Sequence, residues 1–320
     1  MSLISTCVVI CSLLLGRYRI NWSDFLNFIT NNSNQDPLIY NILIHIRIPR
    51  ALFAYLIGIA LSVSGAVYQS LFQNRLVSPG VLGVNSGACV GAGISILLGT
   101  SIALRTIISF SFGILAVLLS FLIQRMSKNK TPVVLVLAGI VTCGLMDSIM
   151  GIIKYIADGK NQLASITFWM LGSLADTEMQ QVLLILPFVI VCTGILLLLS
   201  WHLNAMSIGE KTAISLGINY RAERIIIVGC ATLLTSITIS FSGSIGWVGL
   251  IIPNIVQSIF GSDNKRSLPM VIFFGGIFMV IVDTLARSLS PSEIPLGIIT
   301  GFFGALVYCF ILMKKRNIAI

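Results

Sequence analysis

The sequence RIPRALFAYLIGIALSVSGAVYQ, residues 47–69, places two arginines directly before an apolar run. A helix that spans a bilayer needs about 20 apolar residues, and this run is long enough. Arg47 and Arg50 lie within one turn of the predicted helix. Lys and Arg at the end of a membrane helix usually mark its cytoplasmic side. The side on which this pair lies therefore decides whether it orients the helix or has another function.

The rest of the chain is similarly apolar. Of its 320 residues, 56% are hydrophobic and 10% are charged, whereas a soluble domain carries roughly a quarter charged residues. This composition excludes a soluble protein and predicts an all-α integral membrane protein, residues 1–320 forming a single transmembrane domain. Ten apolar segments predict about ten transmembrane helices, with SFSGSIGW separating the seventh from the eighth. These segments are 2–16, 48–72, 81–103, 107–124, 133–157, 181–201, 225–242, 246–260, 270–286 and 295–313.

The basic residues favour cytoplasmic termini. Ten spans place both termini on one side, and this orientation puts more Lys and Arg in the cytoplasmic loops than in the outer ones. Arg47 and Arg50 then lie outside, against the usual trend. Two interpretations are open at this point, and the residues alone favour the first: the pair reaches lipid phosphates, or it forms a basic surface for an acidic partner.

Two carboxylates fall inside predicted spans, Asp147 and Asp283. Charges at this depth are costly, and they usually face a partner or a water-filled path. A proton relay is one interpretation. The other is a structural hydrogen bond near a helix end, which is favoured for both carboxylates, since Arg287 follows Asp283 by one helical turn. His45 and His202 are too far apart for a metal site, and seven scattered cysteines suggest neither zinc nor a disulfide framework.

Small residues and one polar loop complete the pattern. Gly83, Gly87 and Gly91 recur every four residues, which predicts a smooth helix face for close packing. The loop LNAMSIGEKTAISLGINYRAERI, residues 203–225, predicts two short helices with a break at Gly217. Such a pair could transmit force from a soluble protein. The chain has no phosphate-binding loop or catalytic motif, so no enzyme activity, catalytic residue or cofactor is predicted, and any ATP would be hydrolysed by another chain.

Seven motifs in order over residues 41–313 resemble the FecCD family of ABC importer permeases, which serve iron–siderophore complexes, haem and vitamin B12. They are the opening stretch, NRLVSPGVLGVNSGA, LAG (137–139), WMLGS (169–173), GEKTAISLG, GSIGWVGLIIP and DTLAR followed by EIPLG. The resemblance implies a type II, vitamin-B12-importer-like fold in the bacterial plasma membrane. It also implies partners: a second permease subunit, identical or related, two ATP-binding subunits and an extracytoplasmic substrate-binding lipoprotein. Membrane lipid is the surrounding solvent, and no nucleic acid partner is expected.

The resemblance also assigns roles to residues. Arg47, Arg50 and Arg287 are expected to dock the binding protein through exposed charge pairs, which reverses the preference for lipid phosphates. Coupling helices at about 207–222 are expected to contact the ATPase. Their matching residues are Glu210, Ala213 and Gly217, and the cytoplasmic gate falls at Asn129, Lys130, Thr131 and Pro132.

Two motifs depart from the family pattern. Arg75 stands where the family has proline, and Asn254 and Gln257 stand where it has histidine and arginine. Iron–siderophore is the preferred substrate, with vitamin B12, haem and molybdate also considered. Two other classes of protein are weighed against the importer: an ion-coupled secondary transporter using Asp147 and Asp283, and a structural or assembly protein.

Overall fold

The structure, a computed structural model, describes residues 2–16, 18, 20–30, 36–127, 131–290 and 292–316. Within these ranges all regular elements are helical. A π-helical segment, Ile42–Arg47, joins α3 to α4, and a 3₁₀ turn, Pro79–Leu82, precedes α5. The α-helices are α1 (Ser2–Leu14), α2 (Trp22–Ile29), α3 (Pro37–Asn41), α4 (Ile48–Leu71), α5 (Val84–Leu97), α6 (Ile102–Met126), α7 (Pro132–Ile156), α8 (Gln162–Leu171), α9 (Met179–Leu198), α10 (Ser200–Ile208), α11 (Glu210–Ser215), α12 (Tyr220–Ser242), α13 (Val248–Phe260), α14 (Asn264–Leu289) and α15 (Leu296–Arg316).

All ten predicted helices are present, with ends a few residues from the predicted positions. Six helical stretches are long and apolar enough to cross a membrane: Pro37–Leu71, Ile102–Met126, Pro132–Ile156, Met179–Leu198, Tyr220–Ser242 and Asn264–Leu289. The other predicted helices are shorter apolar ones, and α8 is an additional short helix that the sequence analysis missed. The all-helical membrane fold is thus confirmed, while ten crossings stay a prediction.

Helix α4 is the centre of the assembly. It packs against α14, α12, α13 and α9, and most of its residues are buried, whereas α6, α7 and α9 expose most of their surface. Two glycines allow the closest approaches. A methyl group on Gly58 would collide with the Gly275 carbonyl of α14, and one on Gly65 with the Gly249 carbonyl of α13. Small residues permit such contact where lipid supplies no hydrophobic driving force.

The predicted glycine stripe lies at the start of α5. A methyl group on Gly87 would lie 2.5 Å from the Phe112 carbonyl oxygen, and one on Gly91 would lie 2.7 Å from the Ile108 carbonyl oxygen, so both glycines face α6. Gly83 has a different structural role. Its φ of +87° is favourable only for glycine, and it lets the chain turn from the 3₁₀ segment into α5.

Candidate functional site

The three arginines expected to dock the binding protein lie together with two carboxylates. We call Arg47, Arg50, Asp283, Arg287 and Glu293 the arginine cluster. Arg50 Nε donates to Asp283 Oδ1 at 2.8 Å, and its Nη1 donates to Glu293 Oε1 at 2.9 Å. Arg287 Nε lies 3.6 Å from Asp283 Oδ2. The cluster therefore joins the start of α4 to the end of α14 and to the loop that follows it.

Arg47 has a different set of partners. Its guanidinium donates to the carbonyl oxygens of Leu13, Leu14 and Tyr18, the first two in the last turn of α1. These carbonyls lack intrahelical partners, and a cation is favourable at this end of a helix. Arg287 Nη2 supports the same turn by donating to Ser12 Oγ at 2.8 Å. Among the described residues, Arg47 forms no ion pair, so its charge is the excess positive charge of the cluster.

The expectation that these arginines are exposed is wrong. Arg47 and Arg50 are each 4% exposed, because the ends of α1, α4 and α14 close around them. All three arginines nevertheless line an open cavity of about 210 Å³, together with Glu293 and Ser290. Glu293 contributes a side chain that is 37% exposed, from a backbone with a φ of +45°. Within the described part of the chain, this cavity gives a partner access to the cluster.

The two intramembrane carboxylates have opposite surroundings. Asp283 is 1% exposed and lies between Arg50 and Arg287, which supports the structural interpretation over a proton relay. Asp147, on α7, is exposed, and among the described residues its carboxylate forms no ion pair. The described ranges contain no group of three or more His, Cys, Asp or Glu side chains able to hold a metal ion.

The loop matched to coupling helices forms α10 and α11. The break between them is at Gly209, with a φ of +140°, whereas Gly217, with a φ of +82°, follows α11. The predicted short helix with Glu210 and Ala213 is present and ends before Gly217, as predicted. The prediction of a second short helix after Gly217 is wrong, because Tyr220 begins the long helix α12, and the break at Gly209 was not predicted. Glu210 is exposed at the start of α11, and Ala213 is fully buried beneath it.

Three large apolar side chains on or beside α11 are exposed: Ile208, Ile214 and Leu216, at 52–70%. They flank or lie on α11, next to the exposed Glu210. Exposed apolar groups in a polar loop are typical of a protein–protein contact.

A side-chain network fastens α10 to the core. Asn204 Oδ1 accepts from the Asn264 backbone N–H at 2.8 Å, and its amide donates to Asp263 Oδ1 at 2.6 Å. Asn264 Oδ1 accepts in turn from Ser70 at the end of α4. The Asn204 amide and the Lys265 N–H lower the pKa of Asp263. The stability from these contacts is therefore present above the usual aspartate pKa and is lost as pH falls through the lowered value.

Thr131, one of the residues matched to the gate, lies close to α11. Thr131 and Glu210 line one cavity of about 440 Å³, with Arg125, Arg221 and Arg224 among its other lining residues. Pro132 is the first residue of α7, while Asn129 and Lys130 lie outside the described residues.

One side chain connects the two regions. Gln124, which is buried, donates to the Thr131 carbonyl at 2.9 Å and accepts from Arg224 Nη2 at 3.1 Å. The start of α12, directly after the coupling helices, is thereby linked to the start of α7.

Two of the departures from the family pattern touch each other. Asn254 Nδ2 donates to the Arg75 carbonyl oxygen at 3.0 Å, and Gln257 is buried one turn further along α13. Sequence reasoning missed Gln124, Asn204 and Glu293 as site residues. Glu293 begins the EIPLG motif quoted above, but the contacts with Arg50, Asp263 and Arg224 join residues distant in the chain, which no local pattern reveals.

Replacing the buried acid of the cluster should cost far more stability than replacing the exposed one. Asp283→Asn leaves Arg50 and Arg287 without their shared carboxylate, and removing one partner of a buried pair costs about 3–5 kcal/mol. Glu293→Gln should cost about 1 kcal/mol or less, because the Glu293 carboxylate is partly solvated. Thermal unfolding of the purified proteins in detergent measures both. Equal losses for the two variants would contradict the assignment of Asp283 as the central carboxylate.

Comparison with known proteins identifies the family. The FecCD transport family profile matches residues 3–314. The chain is 33% identical to the molybdate import system permease protein MolB of Haemophilus influenzae, over 99% of this chain and 95% of that protein. It is also 33% identical to a probable iron chelatin transport system permease protein of Helicobacter pylori, over 87% and 84%.

A solved structure agrees with these matches. The chain superposes with a TM-score of 0.89 on a solved inward-facing ABC transporter described as of the metal-chelate type. The two are 33% identical, and the match covers 98% of this chain and 97% of the other. These relatives are permease subunits, and separate partner subunits hydrolyse the ATP. The chain is therefore a membrane-embedded transport subunit and not an enzyme. The chain belongs to the FecCD transport family of ABC importer permeases.

Proposed function

We propose that the chain is the permease subunit of an importer that translocates an iron–siderophore complex across the bacterial plasma membrane. Its match to the FecCD profile over almost its whole length carries the proposal, and the iron chelatin relative supports this cargo. The chain acts as one permease domain over residues 1–320, with ten spans and cytoplasmic termini. It pairs with a second permease subunit and works with two ATP-binding subunits and an extracytoplasmic binding lipoprotein.

The ATPase is proposed to dock on α11. The exposed side chains of Ile208, Ile214 and Leu216 supply an apolar contact, and Glu210 and Gly217 lie at the two ends of that helix. Movement of α11 would reach the gate at residues 129–132 through the link from Arg224 to Gln124 and Thr131. ATP binding would then shift the population between conformations, because the ATPase binds the two conformations with different affinity.

The binding protein is proposed to dock at the arginine cluster. Three guanidinium groups and two carboxylates leave the cluster with one excess positive charge, and Arg47 has no carboxylate partner among the described residues. An acidic side chain entering the cavity beside Arg47 would neutralise that charge. Since Arg50 and Arg287 already share Asp283, we expect them to position the cavity wall and Arg47 to contribute most of the electrostatic attraction.

Molybdate is the second candidate cargo. It is favoured by the identity of 33% to the molybdate permease over 99% of this chain. Vitamin B12 and haem are further candidate cargoes within the family.

The proposed function is tested by transport in proteoliposomes that contain the permease, its partner subunits and the binding protein. We expect uptake of labelled ferric siderophore that requires ATP inside and persists when an ionophore dissipates ion gradients. Labelled molybdate is measured in parallel. ATP-driven uptake of molybdate but not of ferric siderophore would make molybdate the cargo. Uptake driven by an ion gradient without ATP would instead favour a secondary transporter.

Docking at Arg47 predicts a loss of affinity for the binding protein. Arg47→Gln should weaken binding of the loaded binding protein to the solubilised transporter on the order of tenfold, with less salt dependence, since a partly buried charge pair is lost. Arg47→Lys is the matched control. Lysine keeps the charge but lacks the planar guanidinium fork that reaches the three carbonyls, so it should retain the affinity if docking is electrostatic. Equal weakening in both variants would indicate that Arg47 only fastens α1.

If the ATPase docks on α11, replacing a single exposed residue of that helix should uncouple ATP hydrolysis from uptake. Ile214→Asp places a charge in the apolar contact and should reduce ATP-driven uptake at least tenfold, while the thermal unfolding midpoint of the permease stays unchanged. Ile214→Met keeps an apolar side chain of similar size and should retain most of the activity. Wild-type uptake in Ile214→Asp would show that α11 is not the contact.

A further inference from the structure

Asp147 is a charged residue on the exposed side of a membrane-spanning helix. It lies 15 residues after Pro132, or about 22 Å along a helix roughly 37 Å long, so it is well inside the span. The residue is exposed, and its carboxylate has no basic partner within 4.0 Å among the described residues. Nothing within this part of the chain neutralises its charge.

Between residues 141 and 152, the exposed side of α7 divides into two sectors. At 100° per residue, one sector carries small and polar residues: Gly144, Asp147, Ser148 and Gly151. The neighbouring sector carries large apolar residues: Val141, Leu145 and Ile152. Nearer the two ends of the helix, the first sector carries large, exposed apolar side chains as well: Val133, Leu137, Ile140 and Tyr155. A methyl group on Gly144 or Gly151 would meet no atom within 4 Å, so the first sector is open in the single chain. The two sectors are suited to two different environments.

Lipid suits the apolar sector better than the small, polar one. A carboxylate at this depth is costly unless it faces water or a partner, and no basic side chain among the described residues lies within ion-pair distance of Asp147. The small, polar sector around Asp147 is therefore the part of α7 that best fits an aqueous path. Lys154, two turns further along α7 and partly exposed, is the other charged residue of this helix. Lys154 lies about 10 Å further along the helix, close to the end of the span, so Asp147 is the charged residue in the middle of α7.

We propose that Asp147 lines the water-filled translocation path and makes it favour cationic and neutral metal chelates over free oxyanions. The inference rests on the proposed function, since the path needs a second permease subunit opposite α7. With two identical subunits, two carboxylates would face the path. An oxyanion such as molybdate would be repelled at this point, whereas a metal chelate without net negative charge would not.

Water exposure is tested first with a single introduced cysteine. The background is the full transporter in proteoliposomes with all seven native cysteines replaced, and it must retain ATP-driven uptake. The probes are two methanethiosulfonate reagents, one with a cationic trimethylammonium group and one with an anionic sulfonate group. We expect Asp147→Cys to react with the cationic reagent and the matched Leu145→Cys, in the apolar sector, to be at least tenfold slower. Equal rates, or no reaction at position 147 in any transport state, would overturn the assignment.

The charge of the path is tested one turn away. In Gly151→Cys, the ratio of the rates with the cationic and anionic reagents reports the local potential, since a methyl group is tolerated there. Adding Asp147→Asn should lower this ratio on the order of tenfold, because a nearby unit charge acts on the two reagents with opposite sign. An unchanged ratio would overturn the proposed selectivity.

The outcomes separate the inference from the function on which it rests. If the Asp147→Cys transporter takes up ferric siderophore with ATP but its introduced thiol stays unreactive, the inference is overturned and the proposed function stands. If the introduced thiol reacts in a transporter that takes up neither ferric siderophore nor molybdate, water exposure at this position is supported but the proposed function is overturned.

Discussion

The pairing of α4 with α14 is the contact on which the other helices depend. In a bilayer, an apolar side chain gains little by exchanging contact with lipid for contact with a neighbouring helix. Association therefore depends on close backbone approach and on polar pairs that would be costly if separated. This pair has both. Gly58 and Gly275 bring the backbones together near the middle, and Arg50 and Asp283 form an ion pair at one end. Helices α12, α13 and α9 then pack around α4.

The same core is attached to α10 at its other end. Asn204 of α10 contacts Asp263 and Asn264 at the start of α14, and Asn264 reaches Ser70 at the end of α4. The link through Gln124 to Thr131 is of a different kind, since it joins α12 to α7, a helix that exposes much of its surface. Movement at α11 would therefore shift α7 more easily than the core. That division suits a transporter in which a stable scaffold supports a mobile gate.

The sequence predicted the helices better than the contacts among side chains. Helices follow from long apolar runs and their breaks, which are local features, and this explains why all ten predicted segments are helical. The burial of Arg50 is not local. Its acidic partners lie 233 and 243 residues further along the chain, so no spacing near Arg50 reveals them. The break at Gly217 was predicted, whereas the break at Gly209 was missed, although both glycines adopt a positive φ.

Asp147 and Asp283 show how position in the fold decides the meaning of one residue type. Both are aspartates within apolar helices, and the sequence alone offers the same two interpretations for each. Asp283 is held between two guanidinium groups, and its charge is neutralised inside the protein. The charge of Asp147 is left exposed, so water must solvate it, and water at that depth implies a path. A path with a carboxylate in its middle discriminates by the charge of the cargo. The two candidate cargoes, ferric siderophore and molybdate, can differ in net charge. In a chelate the positive charge of the metal can balance the anionic ligands and leave no net negative charge, whereas molybdate is an anion, and for this reason the electrostatics of α7 favour such a chelate.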